Sequence, residues 1–163
     1  MVAPKIGITC GEDVKEGKVF LTNYYLRCIQ RAGGIPWLIP SIEKNISEYL
    51  SSLDGVILSG GVDVDPLYFD EEPIIGMGEI TPGRDNFEIK LTQAAKVNSF
   101  HHQAVSELAD GVLSIAGTTD GIVEAVTMPD KKFVLGVQWH PECMAERFKE
   151  QQQIFNEFVK AST

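Results

Sequence analysis

Short apolar runs alternate with amphipathic stretches along the first half of this chain. The runs end in glycine, proline or serine, which is typical of buried strands. The stretches between them carry apolar residues three and four positions apart, which is typical of helices packed on one face. Together these patterns predict strand 5–10, helix 23–32, strand 35–39, helix 46–53 and strand 55–58. Such an alternation favours an α/β fold with parallel strands joined by helices.

The second half of the chain has a different pattern. A long Asp-, Pro- and Gly-rich connection at 62–84 precedes a helix predicted over 86–95, with Asp85 as its cap. Closely spaced apolar segments separated by turn residues then predict strands at 112–116, 122–127 and 133–139, and a closing helix at 144–161. We therefore expect an α/β fold in which a mostly parallel sheet is extended by antiparallel strands.

The junction between residues 96 and 97 breaks this pattern. After a helix, a βα fold returns to its sheet through an apolar strand, but here a polar and aromatic stretch, 97–103, follows the helix. The sheet is therefore one strand short where such folds have their functional crevice, outside the carboxyl ends of the central strands.

The composition predicts one domain over residues 1–163, because 44% hydrophobic and 23% charged residues are ordinary for a globular protein of this length. A formal net charge of −9 argues against nucleic acid or an anionic membrane as a partner. The three cysteines have irregular spacing, which fits a reducing compartment better than a disulfide framework or a zinc site. With no signal peptide and no membrane-length apolar stretch in this sequence, a cytoplasmic location is expected.

His140 and Glu142 stand where the last predicted strand must stop, because Pro141 cannot continue a ladder. An imidazole and a carboxylate at a strand tip are two parts of a nucleophile–base–orienter triad. The third part would be a cysteine or serine on a sharp strand-to-helix turn. The sequence contains neither Gly-x-Cys-x-Gly nor Gly-x-Ser-x-Gly.

None of the three cysteines in the sequence lies on such a strand-to-helix turn. Cys10 ends the first predicted strand, Cys28 lies within a helix, and Cys143 directly follows Glu142, where it should point away from His140. All three are therefore interpreted as structural.

No metal or cofactor is predicted. The adjacent His101 and His102 would point to opposite sides of an extended chain and are poor joint ligands. The cluster Asp63, Asp65 and Asp70 lacks the spacing of a calcium loop, so it is interpreted as a solvated acidic loop that could cover the site.

Five segments together closely resemble the class I glutamine amidotransferase-like hydrolases, and most of all their γ-glutamyl-γ-aminobutyrate hydrolase branch, a C26-type peptidase group. They are LSGGVD at 58–63, GRD at 83–85, NSFHHQAV at 98–105, DGIVEA at 120–125 and GVQWHPE at 136–142. The resemblance covers nearly the whole chain, in the family's order. It implies a flavodoxin-like three-layer sandwich.

The resemblance also implies a chemistry and a site. A cysteine thiolate attacks a γ-glutamyl amide carbonyl to give a thioester, which water then hydrolyses. His140 would be the general base, Glu142 its orienter, and the backbone N–H groups of Gly60 and Gly61 part of the oxyanion hole. The substrate, a small γ-glutamyl molecule, would also contact four residues of the polar stretch: Ser99, His101, His102 and Gln103.

The sequence departs from the family at the 96–97 junction. There the family has a strand, a nucleophile elbow, a helix and further strands. One explanation is an internal segment that this sequence does not contain; the other is a genuine deletion. The first is favoured, because removing a central strand leaves buried backbone groups unpaired, each at a cost of about 1–3 kcal/mol.

The predicted function is therefore hydrolysis of γ-glutamyl amides without a cofactor, by a cysteine outside this sequence. Two alternatives stay open: an inactive homologue that binds a small molecule, and the glutaminase subunit of a two-chain amidotransferase. A homodimer is also left open.

Overall fold

The structure is a computed structural model. It describes residues 2–41, 46–69, 72–73, 77–95, 105 and 108–163, with the backbone alone at 69 and 92–95. Several predicted features lie outside the described residues: Asp70, the 96–97 junction, Ser99, His101, His102 and Gln103.

The described elements follow the predicted order, with one additional hairpin. They are β1 (Lys5–Thr9), β2 (Gly11–Asp13), β3 (Lys18–Phe20), α1 (Asn23–Arg31), β4 (Ile35–Ile39), α2 (Ile46–Ser52), β5 (Gly55–Ile57), a 3₁₀ turn (Pro66–Phe69), α3 (Pro82–Ala95), β6 (Leu113–Gly117), β7 (Val123–Thr127), β8 (Leu135–Val137), α4 (Pro141–Met144) and α5 (Lys149–Ala161). Each predicted strand has an observed counterpart, displaced by at most a few residues at its ends.

A parallel sheet in the order β4-β1-β5 forms the first half of the fold. On one face Ile6 and Ile8 of β1 are fully buried against α1 and α5. On the other face Ile39 and Leu58 pack with Phe87 and Leu91 of α3, and with partly buried residues of α2. Helices therefore cover both faces of the sheet, which is the layering predicted for a doubly wound α/β fold.

A second sheet, antiparallel and in the order β6-β7-β8, forms the other half. The two sheets and their helices confirm the predicted fold class, a flavodoxin-like α/β fold. Among the described residues, β5 pairs only with β1, and β8 pairs only with β7. β5 and β8 are thus edge strands of their sheets, as β4 and β6 are at the opposite edges.

The structure departs from the predictions at three places. The hairpin β2–β3 was not predicted, because each of its strands has only three residues, too few to show an apolar–polar alternation. Helix α3 begins at Pro82, so Asp85 is in its first turn and is not its cap. The predicted closing helix, 144–161, begins only at Lys149, after the separate short helix α4, and Phe148 just before α5 is half exposed.

Within the part of the chain that the structure describes, no helix combines the length and apolar composition needed to cross a membrane. The same residues include no group of three or more His, Cys, Asp or Glu side chains placed to hold a metal ion.

Candidate active site

The end of β8 brings the predicted base and its orienter together. His140 Nδ1 lies 2.9 Å from Glu142 Oε1. The Glu142 side chain is 5% exposed, whereas that of His140 is 63% exposed. Because Nδ1 faces the carboxylate, Nε2 is left as the nitrogen that can take a proton from an incoming group.

The strand end is anchored from two sides. Trp139 Nε1 donates to Gln151 Oε1 of α5 over 2.8 Å. Pro141 occupies the first position of α4, where its missing N–H costs no hydrogen bond. Its fixed φ turns the chain so that Glu142 is buried beneath the imidazole.

The Gly60–Gly61 turn follows β5 and lies directly beside His140. A Cβ added to Gly60 would lie 3.1 Å from His140 Cε1, and one added to Gly61 would overlap the Arg84 guanidinium. Neither glycine has a positive φ. Lack of space for a side chain, and not a left-handed backbone, is therefore what requires glycine at these two positions.

Arg84 holds the backbone of this turn through hydrogen bonds. Its Nη2 donates to the Ser59 carbonyl, to Ser59 Oγ at 3.2 Å and to the Gly60 carbonyl at 3.5 Å. Its Nε donates to Glu88 Oε1 at 2.9 Å, and both side chains of this ion pair are almost fully buried. A charge taken out of water in this way needs its partner.

Because Arg84 fixes the Ser59 and Gly60 carbonyls, it also fixes the directions of the Gly60 and Gly61 N–H groups. In a trans peptide the C=O and the following N–H point in opposite directions. With the Ser59 and Gly60 carbonyls directed at Arg84, the N–H groups of Gly60 and Gly61 face the opposite side of the turn. There Gly60 N–H donates to Tyr25 Oη at 3.0 Å. No hydrogen bond of Gly61 N–H occurs among the described residues.

Tyr25 is the residue of this site that sequence reasoning missed. The apolar stripe of α1 predicts Tyr25 as a core residue, and it is indeed buried. Its contact with Gly60 joins residues 35 positions apart. No local pattern carries such a signal.

The three cysteines are not placed to act as the nucleophile. Cys10 and Cys28 are buried, and burial raises the pKa of both thiols, in the case of Cys28 to about 11. Cys143 is exposed, but its Sγ faces Glu142 Oε1 at 3.6 Å, on the carboxylate side of the pair and away from Nε2. Partial burial and the Glu142 charge raise its pKa, which is the reverse of activation.

Carboxylates of the predicted acidic loop accept hydrogen bonds from the backbone of the same connection. Asp63 is buried, and its Oδ2 accepts from Gly78 N at 2.8 Å. Asp65 Oδ1 accepts from Leu67 N, and Asp85 Oδ2 accepts from Asp65 N. The prediction of a solvated loop was therefore wrong for Asp63, whose carboxylate ties two parts of the connection together.

A cleft of about 410 Å³ separates the two sheets. Its described walls include β5 with the turn after it, β8 with the segments on either side of it, the start of β7, Tyr25 of α1 and the inner face of α5. They are mostly apolar and include no lysine or arginine. A γ-glutamyl group carries a carboxylate and an amine, so most of this cleft does not suit it, whereas it does suit an apolar strand.

The open edges of β5 and β8 border this cleft, and both strands end at the same rim. Gly60 follows β5 and His140 follows β8, and the His140 ring lies so close to Gly60 that a Cβ there would be 3.1 Å from it. A strand placed between β5 and β8 in the same direction would join the two sheets. The turn after it would then emerge beside His140.

A fold of this kind, with a histidine–carboxylate pair at a strand tip beside a double-glycine turn, is that of the class I glutamine amidotransferase-like proteins. A sequence model of Peptidase C26 matches residues 4–96 and 92–142, and the chain therefore belongs to the Peptidase C26 family.

Three curated relatives illustrate its place there. The putative glutamine amidotransferase-like protein YvdE of Lactococcus lactis subsp. lactis is 28% identical over 186 residues, covering 73% of this chain and 78% of the relative. Protein NtpR of Enterococcus hirae is 26% identical over 235 residues, covering 96% and 98%. The γ-glutamyl-γ-aminobutyrate hydrolase PuuD of Escherichia coli is 37% identical over 65 residues, covering 40% and 26%. The family and its hydrolases indicate an enzyme.

These matches also locate a difference in length. The two stretches matched by the family meet at residues 92–96, next to the unusual junction. The alignment with the Enterococcus protein extends over 235 residues, whereas this chain has 163, so at least 72 residues of that relative have no counterpart here. The Enterococcus relative is thus longer than this chain, and the family match is divided next to the unusual junction.

Proposed function

We propose that the protein hydrolyses γ-glutamyl amide bonds, with His140 as base, Glu142 as orienter and Gly61 N–H as one oxyanion donor. Its cysteine would lie on a strand–turn–helix segment between residues 96 and 97 that this sequence does not contain. The observation that carries the proposal is the cleft between β5 and β8, whose two open edges end at the rim occupied by Gly60 and His140.

The geometry supports the following steps. Nε2 of His140 takes the proton of the cysteine thiol, and the thiolate adds to the γ-carbonyl carbon. Gly61 N–H donates to the oxyanion that develops. The C–N bond then breaks, the imidazolium returns its proton to the leaving amine, and a thioester remains. Water, deprotonated by the same imidazole, hydrolyses the thioester and restores the thiol.

Glu142 keeps the imidazole in the orientation that these steps need. Its buried carboxylate holds Nδ1–H at 2.9 Å, which selects the tautomer with a free Nε2 and stabilises the imidazolium when it forms.

A diazoketone analogue of glutamine, which alkylates a thiolate bound beside a base, tests the proposal. Protein purified from its source should gain one label, which peptide mass spectrometry should place on a cysteine other than Cys10, Cys28 and Cys143. The 163-residue chain is the matched control and should remain unlabelled. Failure to label the natural protein would favour the inactive small-molecule-binding homologue. Labelling or glutaminase activity that appears only with a partner chain would favour the two-chain amidotransferase.

A further inference from the structure

Tyr25 lies between the double-glycine turn and the His140–Glu142 pair. It projects from the first turn of α1, is 8% exposed, and accepts the Gly60 N–H over 3.0 Å through its hydroxyl oxygen. Its neighbour Tyr24 is 41% exposed on the same helix. The two adjacent tyrosines therefore differ in surroundings and form a natural test pair.

The Tyr25 hydroxyl and the His140 ring approach the same α-carbon. A Cβ at Gly60 would lie 3.1 Å from His140 Cε1 and 3.5 Å from Tyr25 Oη. Tyr25, Gly60, His140 and Glu142 all border the same end of the cleft. The hydroxyl is thus in contact with the turn and next to the histidine–carboxylate pair.

A tyrosine hydroxyl has one proton to donate. Because its oxygen accepts from Gly60, that proton is free to point away from the turn, into the cleft that His140 and Glu142 also line. Burial, and after it the charge of Glu142, raise the pKa of Tyr25, so the hydroxyl stays protonated and remains a donor at neutral pH.

We propose that Tyr25 is a positioning residue that links the Gly60–Gly61 turn to the His140–Glu142 pair through its one hydroxyl group. The link commits Gly60 N–H to Tyr25 and leaves Gly61 N–H as the donor that this turn offers to an oxyanion. The catalytic meaning of the link rests on the proposed function, but the link itself joins described residues and needs no nucleophile.

Nuclear magnetic resonance of the isotopically labelled natural protein tests the link without any enzymatic assay. Tyr25→Phe should speed hydrogen exchange at the Gly60 amide by about fivefold, the effect of losing one ordinary hydrogen bond. Tyr24→Phe should leave that rate unchanged. Equal exchange at Gly60 in wild type and Y25F would overturn the proposal.

A double-mutant cycle separates positioning from simple packing. Glu142→Gln should shift the Gly60 amide resonance in the wild-type background, and most of this shift should vanish in the Y25F background. A shift of equal size in both backgrounds would mean that Tyr25 does not carry the coupling, and the proposal would fall.

If Y25F does not fold, biosynthetic incorporation of 3-fluorotyrosine tests the same hydrogen bond. It retains the shape of the ring while weakening the hydroxyl as an acceptor, so the Gly60 amide resonance should still move, and an unmoved resonance would contradict the link. If the link is found and the natural protein takes up no glutamine analogue, the proposed hydrolysis fails while the role of Tyr25 in holding the site together stands.

Discussion

His140→Asn should lower the rate of γ-glutamyl hydrolysis by a factor on the order of 10²–10⁴ in protein that carries the elbow cysteine, because a positioned base is worth about that much. Nε2 is the ring nitrogen of His140 that Glu142 does not engage, and asparagine offers no base at that point. Release of nitroaniline from a γ-glutamyl nitroanilide measures kcat and kcat/KM.

Two companion variants make this result specific. Glu142→Gln keeps the volume of the side chain but loses the charge that stabilises the imidazolium, so it should lower kcat by a smaller factor than loss of the base itself. Cys143→Ser should leave the rate unchanged, because Cys143 lies on the carboxylate side of the pair. An unaltered rate in His140→Asn, or a lost rate in Cys143→Ser, would contradict the assignment of roles.

Arg84→Leu should destabilise the fold by about 3–5 kcal/mol, the usual cost of leaving one member of a buried ion pair without its partner. The substitution leaves the Glu88 carboxylate buried and uncompensated, and it frees the Ser59 carbonyl as well. Urea denaturation followed by circular dichroism measures the loss in the free energy of unfolding.

The double variant Arg84→Leu/Glu88→Leu should recover part of that stability, because no buried charge then remains. Recovery should be incomplete, since the Ser59 carbonyl still lacks its donor. Arg147→Leu, at an exposed arginine, should change stability by no more than about 0.5 kcal/mol. An Arg84→Leu loss no larger than that of Arg147→Leu would show that the buried pair does not hold the turn.

Elements with a strong local signal were predictable from the sequence. Strand β4 has its predicted bounds, Ile35–Ile39, because glycine precedes it and proline follows it. The start of α3 was misplaced by four residues because an acidic residue resembling a cap lies inside its first turn. The hairpin β2–β3 has no apolar alternation, and so it had no pattern to detect.

The same difference between local and long-range contacts holds for the residues of the site. The contact between His140 and Glu142 follows from residues two positions apart at a strand tip, and the structure brings them within hydrogen-bonding distance. Their catalytic role stays a prediction. The contacts of Tyr25 and Arg84 with the double-glycine turn span 35 and 24 positions, so no local sequence pattern could have shown them.

The cleft connects the sequence anomaly to the structure. Two strand edges without a second partner among the described residues are costly in a buried place, because backbone groups that lose water need other partners. The sequence pattern indicates a missing strand at the 96–97 junction, and the cleft has the walls that such a strand needs. The two observations are independent and favour the same segment.

The central claim, a segment between residues 96 and 97 that bears the nucleophile, is tested most directly by a peptide map of the protein purified from its source. A protease that cleaves after glutamate should release residues 89–107 as one peptide if Lys96 and Val97 are adjacent. The account predicts that this peptide is absent and that Lys96 is followed by a different sequence, one that leads to a cysteine. Finding peptide 89–107 intact in the natural protein would contradict the account, because the cleft would then be native and no placed nucleophile would exist.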